Sequence, residues 1–138
     1  MQKFKLRALV VDDYPAGRMV LADQMEFLGY ATEMAAHVDA AIELLRRGKF
    51  DLVITDWLMP EKTGADLAVA INEIDPGLPI IIVTALDDPM NLSGDPPPGV
   101  DAVLSKPVEL KTLRQAVESV MAKRIGKEIR NDCPSNAQ

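Results

Sequence analysis

The sequence predicts an α/β protein: one open, doubly wound sheet of five parallel strands in the order 2-1-3-4-5, with a degenerate fourth helix. Three observations carry this expectation. Five short apolar runs are continuous rather than alternating, as suits strands covered on both faces. Helical patterns lie between them. Polar residues recur just past the ends of four of the runs, where open α/β sheets bind their ligands.

The first strand is "RALVV" (7–11), ending in Asp12 and Asp13. Residues 15–28 read as a helix: Pro15 suits a first turn, Leu21, Met25 and Leu28 recur at i, i+4, i+7, and Gly29 follows. "YATEM" (30–34) is a weaker strand. The second helix, 38–47, carries Ala41, Leu44 and Leu45 and stops at Gly48. "DLVIT" (51–55) is the third strand, with Asp56 at its end. The helix over 64–74 carries Leu67, Ile71 and Ile74, and Thr63 with Asp66 fits a variant of the capping box. "PIIIV" (79–83) leads to Thr84, and "DAVLS" (101–105) leads to Lys106. Residues 109–125 place Leu110, Leu113, Val117, Val120 and Met121 on one apolar stripe.

The rhythm lacks one helix. Between the fourth and fifth strands lies "ALDDPMNLSGDPPPGV", where three consecutive prolines remove three backbone donors. A short turn near 87–93 is the most that is expected there. Residues 1–125 then form one domain, and residues 126–138 a flexible tail.

Composition narrows the function classes. The chain has 138 residues, 48% hydrophobic and 26% charged, which fits one globular domain with a single core. A net charge of −6 argues against direct, nonspecific nucleic-acid binding. The only cysteine, Cys133, can close neither a disulfide nor a zinc site within one chain, so a reducing, cytoplasmic setting is expected. The N-terminal apolar run is too short for a signal peptide or a membrane span.

In a 2-1-3-4-5 sheet the first and third strands are neighbours, which gathers Asp12, Asp13 and Asp56 at one edge. Three close carboxylates repel one another, and a hard divalent cation, Mg2+ or Mn2+, relieves that repulsion through oxygen ligands. Lys106 offers a point charge for a phosphoryl oxygen, and Thr84 a hydroxyl donor. A carboxylate nucleophile, a cation, a lysine and a hydroxyl together suit phosphoryl transfer.

Four stretches carry a family resemblance: "LVVDDYP", "DLVITDWLMPEKTG", "IIIVTA" and "VLSKP". Together, over residues 5–124, the chain resembles the receiver domains of two-component response regulators, whose fold is flavodoxin-like. The resemblance implies that Asp56 accepts a phosphoryl group from a histidine-phosphate on a sensor histidine kinase or histidine phosphotransfer protein. It implies that Asp13, Asp56 and the backbone carbonyl of Leu58 bind magnesium directly, while Asp12 holds a metal-bound water. Lys106 would pair with Asp56 and then with the phosphoryl oxygens, and Thr84 would act as the switch that senses them. The Lys106–Pro107 bond would be cis, and Gly64 with Met59–Pro60 would shape the rim. Such a domain acts on no substrate beyond its own aspartate, signals to an output domain or partner protein, and is compatible with a homodimer. The stretch "VDDYPAGRMVLADQMEFLGY" is similar to receivers of hybrid sensor kinases, where Asn-Arg often stands in place of Gly17-Arg18.

Three departures stand out. Val103 occupies the position where receivers usually carry an aromatic switch residue. The proline-rich segment 95–99 replaces much of a helix that usually belongs to the output face. Leu58 and Leu86 are apolar where polar residues would orient a hydrolytic water, which predicts a long-lived phosphoryl group. His37, the sole histidine, is read as a surface residue. The alternative is a phosphorylation-independent pseudo-receiver that only binds partners. An aspartate-based phosphohydrolase of similar fold would need a second Asp where Leu58 stands, and a flavodoxin a Ser/Thr/Gly-rich loop where "DDYPAG" stands.

Overall fold

The structure, a computed structural model, describes residues 5–85 and 96–132, with side chains as far as residue 124. In chain order it has β1 (Arg7–Val11), α1 (Pro15–Phe27), β2 (Ala31–Ala35), α2 (Val38–Arg47), β3 (Leu52–Asp56), α3 (Gly64–Ile74), β4 (Ile80–Thr84), β5 (Ala102–Ser105) and α4 (Leu110–Asp132). The five strands form one parallel sheet in the order β2-β1-β3-β4-β5, as expected.

Alternate strand residues feed two separate cores, because side chains alternate across a strand. Leu9, Val11, Val53 and Ile80 face α2 and α3, meeting Ala41, Leu45, Leu67 and Ile71. Ala8, Val10, Leu52, Ile54, Ile81 and Val83 face α1 and α4, meeting Leu21, Met25, Leu113, Val117 and Val120. Both faces of the sheet are therefore covered, which is why the apolar runs are continuous. Fully burying a Leu, Ile or Met side chain contributes roughly 1.5–3 kcal/mol. The central strands are accordingly the stable frame on which the ends of β1, β3 and β4 are fixed.

Local signals set the helix ends. Pro15 opens α1, and Gly29 follows it with φ +101°, a left-handed conformation that favours glycine. Thr63 and Asp66 form a full capping box, with the Thr63 N–H donating to Asp66 Oδ2 at 2.8 Å. His37 is exposed, as expected, but it also shapes the fold locally. Its Nδ1 accepts from the Ala40 N–H at 3.1 Å and caps α2.

Several boundaries differ from expectation. β2, β3 and β4 are each shifted one residue towards the C-terminus: Tyr30 packs into the core ahead of β2, Asp56 still pairs with Val83, and Thr84 still pairs with Ser105. The last helix, expected to end at 125, continues to Asp132, so the start of the expected tail is helical. Lys127, Glu128 and Arg130 are good helix formers, and no proline interrupts the chain between them and the apolar stripe. The expected turn near 87–93 lies outside the described residues. Residues 96–100 carry a tight turn, with the Val100 N–H donating to the Pro97 carbonyl and Gly99 at φ +85°. No helix among the described residues is long and apolar enough to cross a membrane.

Candidate functional site

Parallel pairing puts the carboxyl ends of all strands on one edge. Val11 lies beside Thr55, Asp56 beside Val83, and Thr84 beside Ser105. Asp12 follows β1, Asp56 ends β3, Thr84 ends β4 and Lys106 follows β5. The Lys106 N–H donates to the Thr84 carbonyl at 2.8 Å, which extends the ladder and carries the lysine to this edge.

Asp12 is fully buried. Its Oδ1 accepts from the Tyr14 N–H at 2.9 Å, and its backbone carbonyl accepts from Arg18 Nη1 at 2.8 Å. Its Oδ2 has no hydrogen-bond partner among the described residues. Lys106 Nζ stands 3.5 Å from that oxygen, in ion-pair contact, and donates to Asp56 Oδ2 at 3.1 Å. Asp56 Oδ1 accepts from the Trp57 N–H at 2.8 Å. Asp13 is exposed, yet one carboxylate oxygen from each of Asp12, Asp13 and Asp56 lies within 4.8 Å of the others.

The electrostatics follow from two carboxylates facing one lysine. Burial, the largest influence, pushes the Asp56 carboxyl above its ordinary value. The hydrogen bond and charge of Lys106 pull it down, the neighbouring Asp12 raises it, and the Trp57 N–H lowers it, with a net shift upward. Burial alone would lower the Lys106 ammonium, but the hydrogen bond and charge of Asp56, with the charge of Asp12, outweigh it and hold it above its ordinary value. The two upward shifts have different causes: burial dominates at Asp56, and the neighbouring carboxylates dominate at Lys106.

Thr84 is fully buried, and its Oγ1 has no partner among the described residues. Gly64 fits a tight spot behind Asp56. Its N–H donates to the Trp57 carbonyl at 2.7 Å, and a Cβ there would lie 2.8 Å from the Asp56 carbonyl oxygen. In the loop after β3, Met59 is buried while Leu58 is 56% exposed. Glu61 takes φ +71°, and Lys62 pairs with Asp39 at 2.7 Å, tying the loop to the start of α2. The Lys106–Pro107 peptide is cis. Val103 sits on β5 beside Ile82, half-buried. Leu86 lies outside the described residues.

Asp12, Asp13, Asp56 and Lys106 are thus brought together, Thr84 stands at the end of the adjacent strand, and Leu58 sits on the rim. Sequence reasoning missed the clamps: the backbone N–H groups of Tyr14 and Trp57, and the Arg18 guanidinium. Backbone donors leave no trace in side-chain identity, and only Arg18 was visible as a residue.

Residues 8–118 match the family described as the response regulator receiver domain. The chain belongs to that family. The receiver is 37% identical over 119 residues to the sensor histidine kinase RcsC of Salmonella typhimurium, covering 86% of this chain but only 12% of that kinase. It is 31% identical to the chemotaxis protein CheY of Pseudomonas aeruginosa, covering 83% of this chain and 95% of CheY. Among solved structures, a CheY-like receiver domain protein from Methanospirillum hungatei superposes with a TM-score of 0.81 at 26% identity, covering 90% of this chain and 99% of that one. The response regulator TrrA of Thermotoga maritima, solved in complex with Mg(2+)-BeF, gives 0.71 at 27% identity, covering 83% and 98%. The receiver is therefore a signalling domain of the two-component class, with the doubly wound architecture of its relatives.

Proposed function

We propose that this receiver is a phosphorelay switch that accepts a phosphoryl group on Asp56 from a histidine-phosphate, with Mg2+ (or Mn2+) bound. The observation that carries the reading is the setting of the Asp56 carboxylate. One oxygen is held by the Trp57 N–H and the other by Lys106 Nζ, beside Asp12 and Asp13.

The donor set suits a hard cation: all the side-chain ligands are carboxylate oxygens, and Asp12 Oδ2 is buried without a hydrogen bond among the described residues. Asp12, Asp13, Asp56 and the Leu58 carbonyl would hold it. When bound, it supplies positive charge against the carboxylates and the phosphoryl oxygens. The chain's own residues do the rest. The Trp57 N–H and Lys106 fix the Asp56 carboxylate for attack on phosphorus. A P–O bond to Asp56 forms as the donor's P–N bond breaks, and the electron pair leaves with the imidazole. Lys106 then turns from the Asp56 oxygen to a phosphoryl oxygen as a point charge. Thr84 Oγ1, buried and without a partner among the described residues, donates to the same group and reports its presence.

The partners on this reading are a sensor histidine kinase or a histidine phosphotransfer protein, and an output domain or partner protein, with residues 1–125 as the working unit in the cytoplasm. The similarity to the RcsC receiver region and to free-standing CheY supports both settings. Incubation with a small phosphodonor or beryllofluoride and Mg2+ tests the proposal. Wild type should gain the adduct by intact mass and change its Trp57 emission, and Asp56→Asn should do neither. An unmodified, unresponsive wild type would overturn it in favour of a binding-only receiver.

A further inference from the structure

Arg18 lies near the start of α1, a helix that opens at Pro15. Nothing in the helix asks for a cation at that point, since positive charge near a helix N-terminus opposes the dipole. Nor does an ion pair explain it. Among the described residues Lys106 is the ion-pair partner of Asp12 and Asp56, and Arg18 pairs with no carboxylate. Arg18 Nη1 donates instead to the Asp12 backbone carbonyl at 2.8 Å.

That carbonyl belongs to the planar unit that joins Asp12 to Asp13. β1 ends at Val11, and the Asp12 N–H still donates to the Ala35 carbonyl at 3.1 Å. A buried carbonyl needs a partner, and past the end of the strand a side chain from α1 supplies it. Because the peptide is planar, holding its oxygen fixes its rotation and so the direction in which Asp13 leaves the loop. The two aspartates differ in what else anchors them. Asp12 is fully buried, and its Oδ1 is held by the Tyr14 N–H. Asp13 is exposed, so packing does not aim its side chain and the backbone must. Its carboxylate nevertheless lies within 4.8 Å of those of Asp12 and Asp56.

We propose that Arg18 is a positioning residue for the divalent-cation site: by holding the Asp12 carbonyl it sets the Asp12–Asp13 peptide so that the exposed Asp13 carboxylate joins the other two. This rests on the cation reading given above. Position and charge act with opposite signs. An arginine felt only through its field would compete with Mg2+, and its removal would tighten binding. An arginine that aims Asp13 has the reverse effect.

The test compares wild type, Arg18→Met, Arg18→Lys, Asp13→Asn and the Arg18→Met/Asp13→Asn double variant as full chains. Mg2+ titrations are followed by Trp57 emission and by the rise in melting temperature, and metal-free melting is measured in chelator. Arg18→Met should raise the Mg2+ dissociation constant about tenfold, the scale seen when groups supporting a metal ligand are changed. In the Asp13→Asn background the same substitution should change it by no more than about twofold, because the carboxylate through which it acts is gone. Arg18→Lys keeps the charge on a shorter side chain without the guanidinium fork, so it should bind Mg2+ more weakly than wild type but more tightly than Arg18→Met. If Arg18→Met does not fold in chelator, Arg18→Lys decides alone. A dissociation constant equal to or below that of wild type in the deciding variant overturns the proposal while the cation reading stands, even where metal-free melting falls. So does a tenfold weakening by Arg18→Met that persists in Asp13→Asn. A wild type that responds to Mg2+ in neither readout overturns the cation reading and this inference together.

Discussion

Lys106 Nζ bonds Asp56 Oδ2 at 3.1 Å, joining the end of β5 to the end of β3 across fifty residues of sequence. It is also 3.5 Å from the buried Asp12, so one ammonium serves two carboxylates. Replacing it should therefore separate two properties that a general loss of folding would move together. Lys106→Met should slow phosphorylation by a small phosphodonor by at least about tenfold, since the charge offered to the phosphoryl group is gone. The same variant should bind Mg2+ more tightly than wild type, because the carboxylates lose their competing cation. Paired measurement of phosphorylation rate and Mg2+ affinity checks this; a joint fall in both would contradict it.

The upward shift at Asp56 makes a statement about stability and pH. Its ordinary value is 3.8, and burial holds the folded carboxyl above that. Between the two values the folded state binds more protons than the unfolded state, so stability falls as pH rises through this interval. Above the folded value the full penalty persists. Asp56→Asn removes the carboxylate, so the metal-free variant should melt above wild type near neutral pH. The gap should narrow as pH falls towards 3.8. Mg2+ should raise the wild-type melting temperature more than that of the variant. Thermal melts across pH, with and without chelator, check the sign; a gap independent of pH would count against it.

The sheet was legible because both of its faces are covered. Leu9 and Val10 must both be apolar when one faces α2 and α3 and the other faces α1 and α4. That requirement writes each strand as a continuous run, and the strand order then gathers Asp12, Asp56, Thr84 and Lys106 at one edge. What the sequence hid is held by backbone groups or by empty space. The Tyr14 and Trp57 N–H groups that clamp Asp12 and Asp56 would be present with almost any side chain there. The close approach at Gly64 depends on the Asp56 carbonyl, so the resemblance could set this glycine at the rim but not show the contact that requires it. The cap made by His37 was missed for a related reason, since histidine is not among the preferred N-cap residues.

Leu58 follows Asp56 by two residues and is 56% exposed on the rim. An apolar group there can neither accept nor donate to a water attacking the acyl phosphate. Leu58→Asn supplies both functions at similar size. The phosphorylated variant should lose its phosphoryl group several-fold faster than wild type, below the roughly 10²–10⁴-fold that a positioned acid–base group supplies. Decay followed by Trp57 emission or intact mass after removal of the donor measures the lifetime. Equal lifetimes would assign Leu58 to packing alone.

Thr84 Oγ1 is buried in the unphosphorylated protein and has no partner among the described residues. An unsatisfied buried hydroxyl costs about 1–3 kcal/mol relative to one that is bonded. Thr84→Val keeps the shape and β-branching that suit β4 while removing the polar atom. Urea unfolding of the metal-free variant should therefore show stability equal to wild type or up to about 1 kcal/mol greater, since the hydroxyl's desolvation is relieved. Once Asp56 carries beryllofluoride, the order should reverse. The wild-type hydroxyl then has an acceptor worth about 1.5–3 kcal/mol as a bond to a charged group, and valine has none. Adduct formation should stabilise wild type more than Thr84→Val by that margin. If the variant is less stable before the adduct forms, Thr84 already has a partner in the resting site and is not a donor held in reserve.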